Sequence, residues 1–228
     1  MISNKHVTKV YKMGEIDLTV IKDLNLEINH GEFVAIVGPS GSGKSTILNL
    51  LGCLDKPSSG QIFIDDIDVT KLNTTELANF RGENIGFIFQ SFNLIPVLNV
   101  YENIEYPLIM IQNLAEDERQ KRILQLLQDV DMLDQKDKFP DQLSGGQRQR
   151  VAIARALVTE PKIVFADEPT ANLDRETSNQ IITLMRNIQR EFSTTFIFAT
   201  HDEKIVTAVD RIITIVDGII TQDKRVSL

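Results

Sequence analysis

Two sets of residues in this chain have types and spacings suited to phosphate chemistry. The first is Gly38-Pro39-Ser40-Gly41-Ser42-Gly43-Lys44-Ser45-Thr46, a full match to G-x-x-x-x-G-K-[ST]. Glycines at 38, 41 and 43 allow a tight path, partly at positive φ, that turns several main-chain N–H groups toward one phosphate oxyanion. Lys44 can then reach the β- and γ-phosphates, and the Ser45 hydroxyl is placed for Mg2+. The second set is Asp167-Glu168, which closes the apolar run Ile163-Val164-Phe165-Ala166. Beside a phosphate loop, the first acid of such a pair supports Mg2+ and the second can polarise an attacking water. Taken singly, the glycines could be an ordinary turn and the acids a solvated one before Pro169. Taken together they describe a nucleoside triphosphate site equipped for hydrolysis.

A third stretch, Leu143-Ser144-Gly145-Gly146-Gln147, precedes strong helix formers from Arg148 to Val158. Ser144 and Gln147 have the S-x-x-Q spacing of a capping box. Capping does not account for two glycines in a first turn, where they are less stable than alanine. Bare main chain there suits a group that must come close, and a capped helix N-terminus is a second anion site. Gln90 and His201 each end an apolar run, where open α/β sheets bind ligands, although either could be an ordinary strand end. Asp174 is a reasonable helix N-cap. Tyr11 alone reads as a packing residue.

The elements that must position these groups follow from periodicity. Phe33 to Val37 is an apolar strand leading into the glycine loop, and Ile47, Leu48, Leu50 and Leu51 mark the helix after it, with Gly52 as its expected C′ residue. Residues 5–28 alternate as strands, with Val20, Leu24, Leu26 and Ile28 on one face and Tyr11 between two runs. A loop at 56–60, a strand from Gln61 to Ile64, a helix capped by Asn73 or Thr74 and running to about Arg81, and a buried strand Ile85 to Phe89 come next. From Gln90 to about Asp141 the texture is helical, with Ile123, Leu126, Leu127 and Val130 at helical spacing in a helix from Glu116 to Met132. Strand and helix then alternate: a helix with Ile181, Leu184, Met185 and Ile188 inward, a strand from Thr194 to Thr200, and a hairpin turning at Asp217-Gly218.

With 228 residues and a net charge of −8, the chain can bury a full α/β core, and its acidity argues against nucleic acid as the main partner. The single Cys53 excludes an internal disulfide and reads as a small buried residue. No apolar run approaches the length of a membrane span and the N-terminus shows no signal-peptide h-region, so a cytoplasmic protein is expected, with any membrane role coming through a partner.

The glycine loop at 38–46, Gln90, Leu143 to Gln147, Asp167-Glu168, Asp174 and His201 stand in the order and spacing of the nucleotide-binding subunit of ABC transporters, which this chain resembles over its whole length. Gly52 to Pro57 and Ile85 to Pro96 resemble the lipoprotein-release and macrolide-export branch. The resemblance implies a P-loop NTPase core of class α/β with a mainly parallel sheet, an N-terminal antiparallel β-subdomain and an inserted α-helical subdomain. The core would be residues 1–90 and 160–228, with about 91–159 as the helical insertion. It further implies ATP and Mg2+ as ligands. Tyr11 would stack on adenine, and Gly38 to Thr46 would hold the triphosphate. Ser45 and Asp167 would sit at the metal, Gln90 would contact the metal or the attacking water and report occupancy to the helical lobe, Glu168 would be the general base, and His201 would touch the γ-phosphate. Ser144, Gly145, Gly146 and Gln147 would complete the site of a second copy across an interface that Asp174 crosses. The partners implied are that second copy and integral-membrane permease subunits, reached around residues 91–110, which would hold the chain peripherally at the inner face of the membrane, and no nucleic acid. Two other classes compete: a soluble ABC ATPase acting on DNA or ribosomes, which normally carries paired cassettes or long insertions, and an ATP-binding regulatory module of cell division that does not turn over.

Overall fold

The computed structural model describes residues 2–14 and 16–226. Among the described residues, ten strands form two sheets. The first is antiparallel, in the order β2-β1-β4-β5, from β1 (Ile2–Met13), β2 (Ile16–Ile28), β4 (Ser59–Ile64) and β5 (Ile67–Asp68). The second has six strands in the order β10-β9-β3-β8-β7-β6, from β3 (Phe33–Val37), β6 (Ile85–Phe89), β7 (Ile163–Asp167), β8 (Thr195–Ala199), β9 (Arg211–Val216) and β10 (Ile219–Arg225). All its pairings are parallel except that between β9 and β10, a tight hairpin whose turn residues Asp217 and Gly218 both have positive φ.

The parallel strands are buried on both faces, which is why they read as unbroken apolar runs. Val34, Ile36, Ile163, Phe165, Ile197 and Ala199 face a core shared with the antiparallel sheet and α1 (Lys44–Leu51). Their neighbours Phe33, Ala35, Val164, Ala166, Phe196 and Phe198 face a second core against α5 (Gly145–Leu157) and α6 (Arg175–Phe192). A third core joins α3 (Val100–Ile111), α4 (Glu116–Asp129) and the opposite side of α5. Helix α5 is therefore apolar on two sides: Ile153, Ala156 and Leu157 meet the sheet, while Val151, Ala154 and the C-cap Val158 meet the helical cluster.

Ladder register does the positioning. Phe89 pairs with Asp167, Asp167 with Ala199, and Ala199 with Ile36, so β6, β7 and β8 end in one row that β3 outruns by a single residue. The residues just past that row are Gln90, Glu168, Thr200 and, one further on, Gly38. This is the carboxyl edge of the sheet, where ligands bind in open α/β folds.

Several boundaries differ from the sequence expectation. Strand β1 begins at Ile2, and register shifts along its pairing with β2 put Ile21 rather than Val20 fully inside with Leu24, Leu26 and Ile28. Asp23, at positive φ, sits at that irregularity. Helix α2 (Thr74–Asn84) runs past Arg81, capped by Asn73 in a full capping box with Glu76. Helix α4 stops at Asp129, because Asp131 takes positive φ. Gly52 is not a left-handed terminator, since its φ is −81° and the left-handed residue is Cys53 at 58°. Gly52 has a steric reason instead: a Cβ there would lie 2.3 Å from the Phe87 ring.

Candidate functional site

The glycine loop joins β3 to α1. Gly38, Gly41 and Gly43 all have positive φ, and a Cβ on Gly38 would meet the main-chain oxygen of Ile215 at 2.0 Å, so the loop is seated tightly on β9. Helix α1 opens with a bond from Ile47 N–H to Gly43 O at 2.9 Å, and no side chain caps it. The N–H groups of Lys44, Ser45 and Thr46 are therefore left facing the space the loop encloses. Lys44 folds over that space, its ammonium donating to the carbonyls of Gly38 and Pro39 at 2.9 and 3.0 Å. The buried Ser42 hydroxyl has no hydrogen-bond partner among the described residues. Pro39 and Ser40 are exposed at the rim.

Across the sheet edge, the exposed Ser45 hydroxyl donates to Asp167 Oδ1 at 3.2 Å. Burial pushes the Asp167 carboxyl above its usual range; the Ser45 bond and the Lys44 charge oppose this, and the Glu168 charge adds to it. A cation bound beside Ser45 and Asp167 would relieve that cost. Glu168 follows with left-handed main chain, its N–H donating to Ala199 O at 2.9 Å. Its carboxylate accepts from Thr200 Oγ1 at 3.0 Å and meets His201 Nδ1 at 2.6 Å. Glu168 is only 15% exposed while His201 is 76% exposed, so the imidazole closes over the acid from the solvent side.

The remaining expected residues divide into two groups. Gln90 is exposed one residue past β6, and its carbonyl accepts from the Asn172 side chain at 2.9 Å. Ser144 caps α5 in a complete box: its hydroxyl accepts from Gln147 N–H at 3.2 Å, and Gln147 Oε1 accepts from Ser144 N–H at 3.0 Å. Gly145 lies against the Asn172 carbonyl and Leu173, with ordinary room for a Cβ, but at Gly146 a Cβ would stand 2.5 Å from the Thr177 methyl. For Gly146 the close neighbour is thus a side chain of the same protein. Asp174 caps α6, accepting from Glu176 and Thr177 N–H at 3.0 Å and from the Thr177 hydroxyl at 2.6 Å. That bonding to Thr177 holds its carboxyl below the usual range.

Tyr11 lies within β1, not between strands. Its hydroxyl donates to Asp55 at 2.9 Å, and the Lys9 ammonium sits 4.8 Å over the ring. Burial raises the phenol, the Asp55 bond raises it further, and the hydroxyl of Thr46 beside it works the other way.

Sequence reasoning missed Thr200, which reads as the β-branched end of a strand, and the supports Lys9 and Asp55 behind Tyr11, which lie in unremarkable polar stretches. A Thr-His-Asp run closing a buried strand was the one available signal for Thr200.

Comparison with known proteins gives these positions a context. The sequence model of the family described as ABC transporter matches residues 21–171. The uncharacterised ABC transporter ATP-binding protein MJ0796 of Methanocaldococcus jannaschii is 47% identical, over 99% of this chain and 97% of that protein. The lipoprotein-releasing system ATP-binding protein LolD of Idiomarina loihiensis is 43% identical over 96% of each. The macrolide export ATP-binding/permease protein MacB of Rhodopirellula baltica is also 43% identical, over 99% of this chain but 33% of that longer protein. A dimeric structure of MJ0796 in a post-hydrolysis state bound to ADP and Pi superimposes with a TM-score of 0.92, covering 100% of this chain and 99% of that one at 45% identity. The chain belongs to the ABC transporter family, as one of its ATP-binding, ATP-hydrolysing subunits.

Proposed function

We propose that two copies of this chain close head to tail around two MgATP molecules, and that hydrolysis reopens the pair to drive a membrane permease. The observation that carries the reading is the meeting of Ser45 Oγ and Asp167 Oδ1 at 3.2 Å, at the mouth of the glycine loop and next to Glu168. Oxygen-only donors suit a hard cation, and Mg2+ commonly takes only one or two protein ligands beside phosphate oxygens and water. No larger cluster of His, Cys, Asp and Glu fit for a metal occurs among the described residues. Ser45 and Asp167 would hold Mg2+, with Gln90 approaching from the next strand. The bound ion would neutralise charge that builds on the transferred phosphoryl group.

Residues 38–46 then hold the triphosphate through Lys44 and main-chain N–H groups. Tyr11 offers adenine the ring face away from Lys9. Glu168 takes a proton from the attacking water, and His201, now on Glu168, turns to the γ-phosphate. The second copy contributes Ser144 to Gln147 at the dipole-positive N-terminus of α5, with Asp174 crossing the interface. Loss of the γ-phosphate removes the charge that both surfaces share.

We divide the chain into a core, residues 1–90 and 160–228, and a helical lobe, about 91–159, that passes the motion on. The lobe carries exposed apolar side chains at Val97, Tyr106, Ile109 and Met110, a suitable docking face for a permease. Asn103, fully buried, braces that face by bonding to Ile95, Leu98 and Asn99. No helix among the described residues is long and apolar enough to cross a membrane; in this reading integral-membrane permease subunits carry the spans and hold the chain at the inner face. Likeness to LolD and MacB supports a lipoprotein-release or macrolide-export type.

Ser144→Arg tests the two-copy site. The variant should bind MgATP at its own glycine loop with unchanged affinity, yet fail to dimerise and lose turnover. Cooperative ATPase activity at the parental rate would sink the shared-site reading.

A further inference from the structure

The main chain of Glu168 has φ 45°, a left-handed conformation that non-glycine residues adopt infrequently. Its N–H is pinned to Ala199, the last residue of β8. The next residue, Thr200, grips the side chain, with its hydroxyl 3.0 Å from Glu168 Oε2. The direction of that bond is fixed by a second one. Thr200 Oγ1 also accepts from Asp202 N–H at 3.0 Å, and a hydroxyl has a single proton, which must therefore go to the carboxylate. Neither end of this arrangement is loose. Thr200 is fully buried with its own N–H on Ile36 O, and Asp202 is held by the Thr170 hydroxyl at 2.6 Å and by Lys204 N–H at 2.9 Å.

We propose that Thr200 is a positioning residue for ATP hydrolysis: its hydroxyl ties down Glu168 Oε2, so that Oε1 alone is presented to the attacking water. Oε1 is the oxygen that faces His201 and the solvent side of the site. A carboxylate on a flexible side chain would otherwise sample rotamers in which neither oxygen is aligned, and small misplacements of a catalytic group cost up to about 100-fold in rate. The inference rests on Glu168 acting as the general base. Thr200 touches neither nucleotide nor water in this scheme, so its removal should leave nucleotide affinity alone.

The test compares Thr200→Val, which keeps the shape and loses the hydroxyl, with Thr200→Ser, which keeps the hydroxyl. Thr200→Val should lower kcat by roughly 10- to 100-fold with KM and the MgATP dissociation constant unchanged. Thr200→Ser should retain most of kcat. In the Glu168→Gln background, single-turnover hydrolysis should not fall further on adding Thr200→Val, because the group being positioned is already disabled. Thr200→Ala, with no steric demand, takes the place of the valine variant if that one does not bind MgATP. Near-parental kcat in both hydroxyl-free variants, with Glu168→Gln inactive, overturns the role of Thr200 while leaving Glu168 as base. A full additional loss in the Glu168→Gln background assigns Thr200 to general structure and also overturns it. Parental turnover in Glu168→Gln itself removes both assignments.

Discussion

Helices α5 and α6 meet at Gly146 and Thr177, where a Cβ on the glycine would stand 2.5 Å from the threonine methyl. Thr177 cannot swing aside cheaply, because its hydroxyl is bound to Asp174 at 2.6 Å. The N-terminus of α5 and the cap of α6 are thus fitted to each other, and the Asn172 side chain joins the same assembly to the carbonyl of Gln90.

Gly146→Ala therefore sets two effects against each other. Alanine gains about 1 kcal/mol over glycine in a helix, whereas overpacking a closed contact costs about 1–3 kcal/mol. The nucleotide-free variant should be less stable than the parent in thermal or urea unfolding. In a Thr177→Ser background, which keeps the hydroxyl and deletes the methyl, the same change should become neutral or stabilising. A loss of equal size in both backgrounds would show that the Thr177 methyl is not the obstacle.

The residues gathered at this site were more legible in the sequence than their supports. A phosphate loop requires Gly38, Gly43, Lys44 and Ser45 whatever surrounds them, and Asp167-Glu168 stand out because two acids rarely close an apolar strand. Ser144 and Gln147 form the capping box their spacing implies. What the sequence hid is set by packing between distant segments. Gly52 is small because Phe87 reaches it from β6, and Gly146 is small because Thr177 reaches it from α6. Register shifts between β1 and β2 reset the inward face in a way that simple alternation cannot foresee. Thr200 looked like strand composition, since nothing local says that its hydroxyl meets an acid 32 positions earlier.

Lys44→Ala should weaken MgATP binding without unfolding the chain. The ammonium now rests on the carbonyls of Gly38 and Pro39, part of the rim that solvent can reach, so no buried polar group is orphaned by its loss. Hydrogen bonds to charged groups are worth about 1.5–3 kcal/mol, which is roughly 10- to 100-fold in affinity. Equilibrium binding of a fluorescent ATP analogue reads this directly. Parental affinity would remove Lys44 from the triphosphate site.

Arg186 carries a prediction about acid stability. Its guanidinium lies over the Phe33 ring and makes a two-pronged bond to Asp210, with Nη1 at 2.7 Å from Oδ2 and Nη2 close to Oδ1. The hydrogen bond from Arg186, opposed by burial, holds the Asp210 carboxyl below its usual range. A lowered folded-state value contributes stability above the unfolded value of about 3.9 and loses it as pH falls through the folded one. Arg186→Met keeps much of the packing on Phe33 and deletes the pair. Urea midpoints should show the variant weaker at pH 7, by about 1 kcal/mol or less because the acid is partly exposed. The gap should shrink as pH drops below about 4. A gap of constant size down to pH 3 would mean that the ion pair is not its source.

Glu168→Gln separates catalysis from binding. The amide preserves the outline of the side chain and can still accept from the Thr200 hydroxyl, but it cannot take a proton from water. Loss of a general base typically costs about 100- to 10,000-fold in rate, so hydrolysis should fall into that range. ATP binding should not weaken, because exchanging a carboxylate for an amide removes a like charge from the neighbourhood of the γ-phosphate. Closure without hydrolysis leaves nothing to reopen the pair, so the variant should accumulate as an ATP-bound dimer. Size-exclusion chromatography in MgATP should then show a dimer for Glu168→Gln and mainly monomer for the parent, whose dimer each turnover dismantles. A variant that hydrolyses ATP at nearly the parental rate would remove Glu168 as the base. One that is inactive yet stays monomeric at saturating MgATP would keep the base but reject the sandwich that hydrolysis is proposed to open.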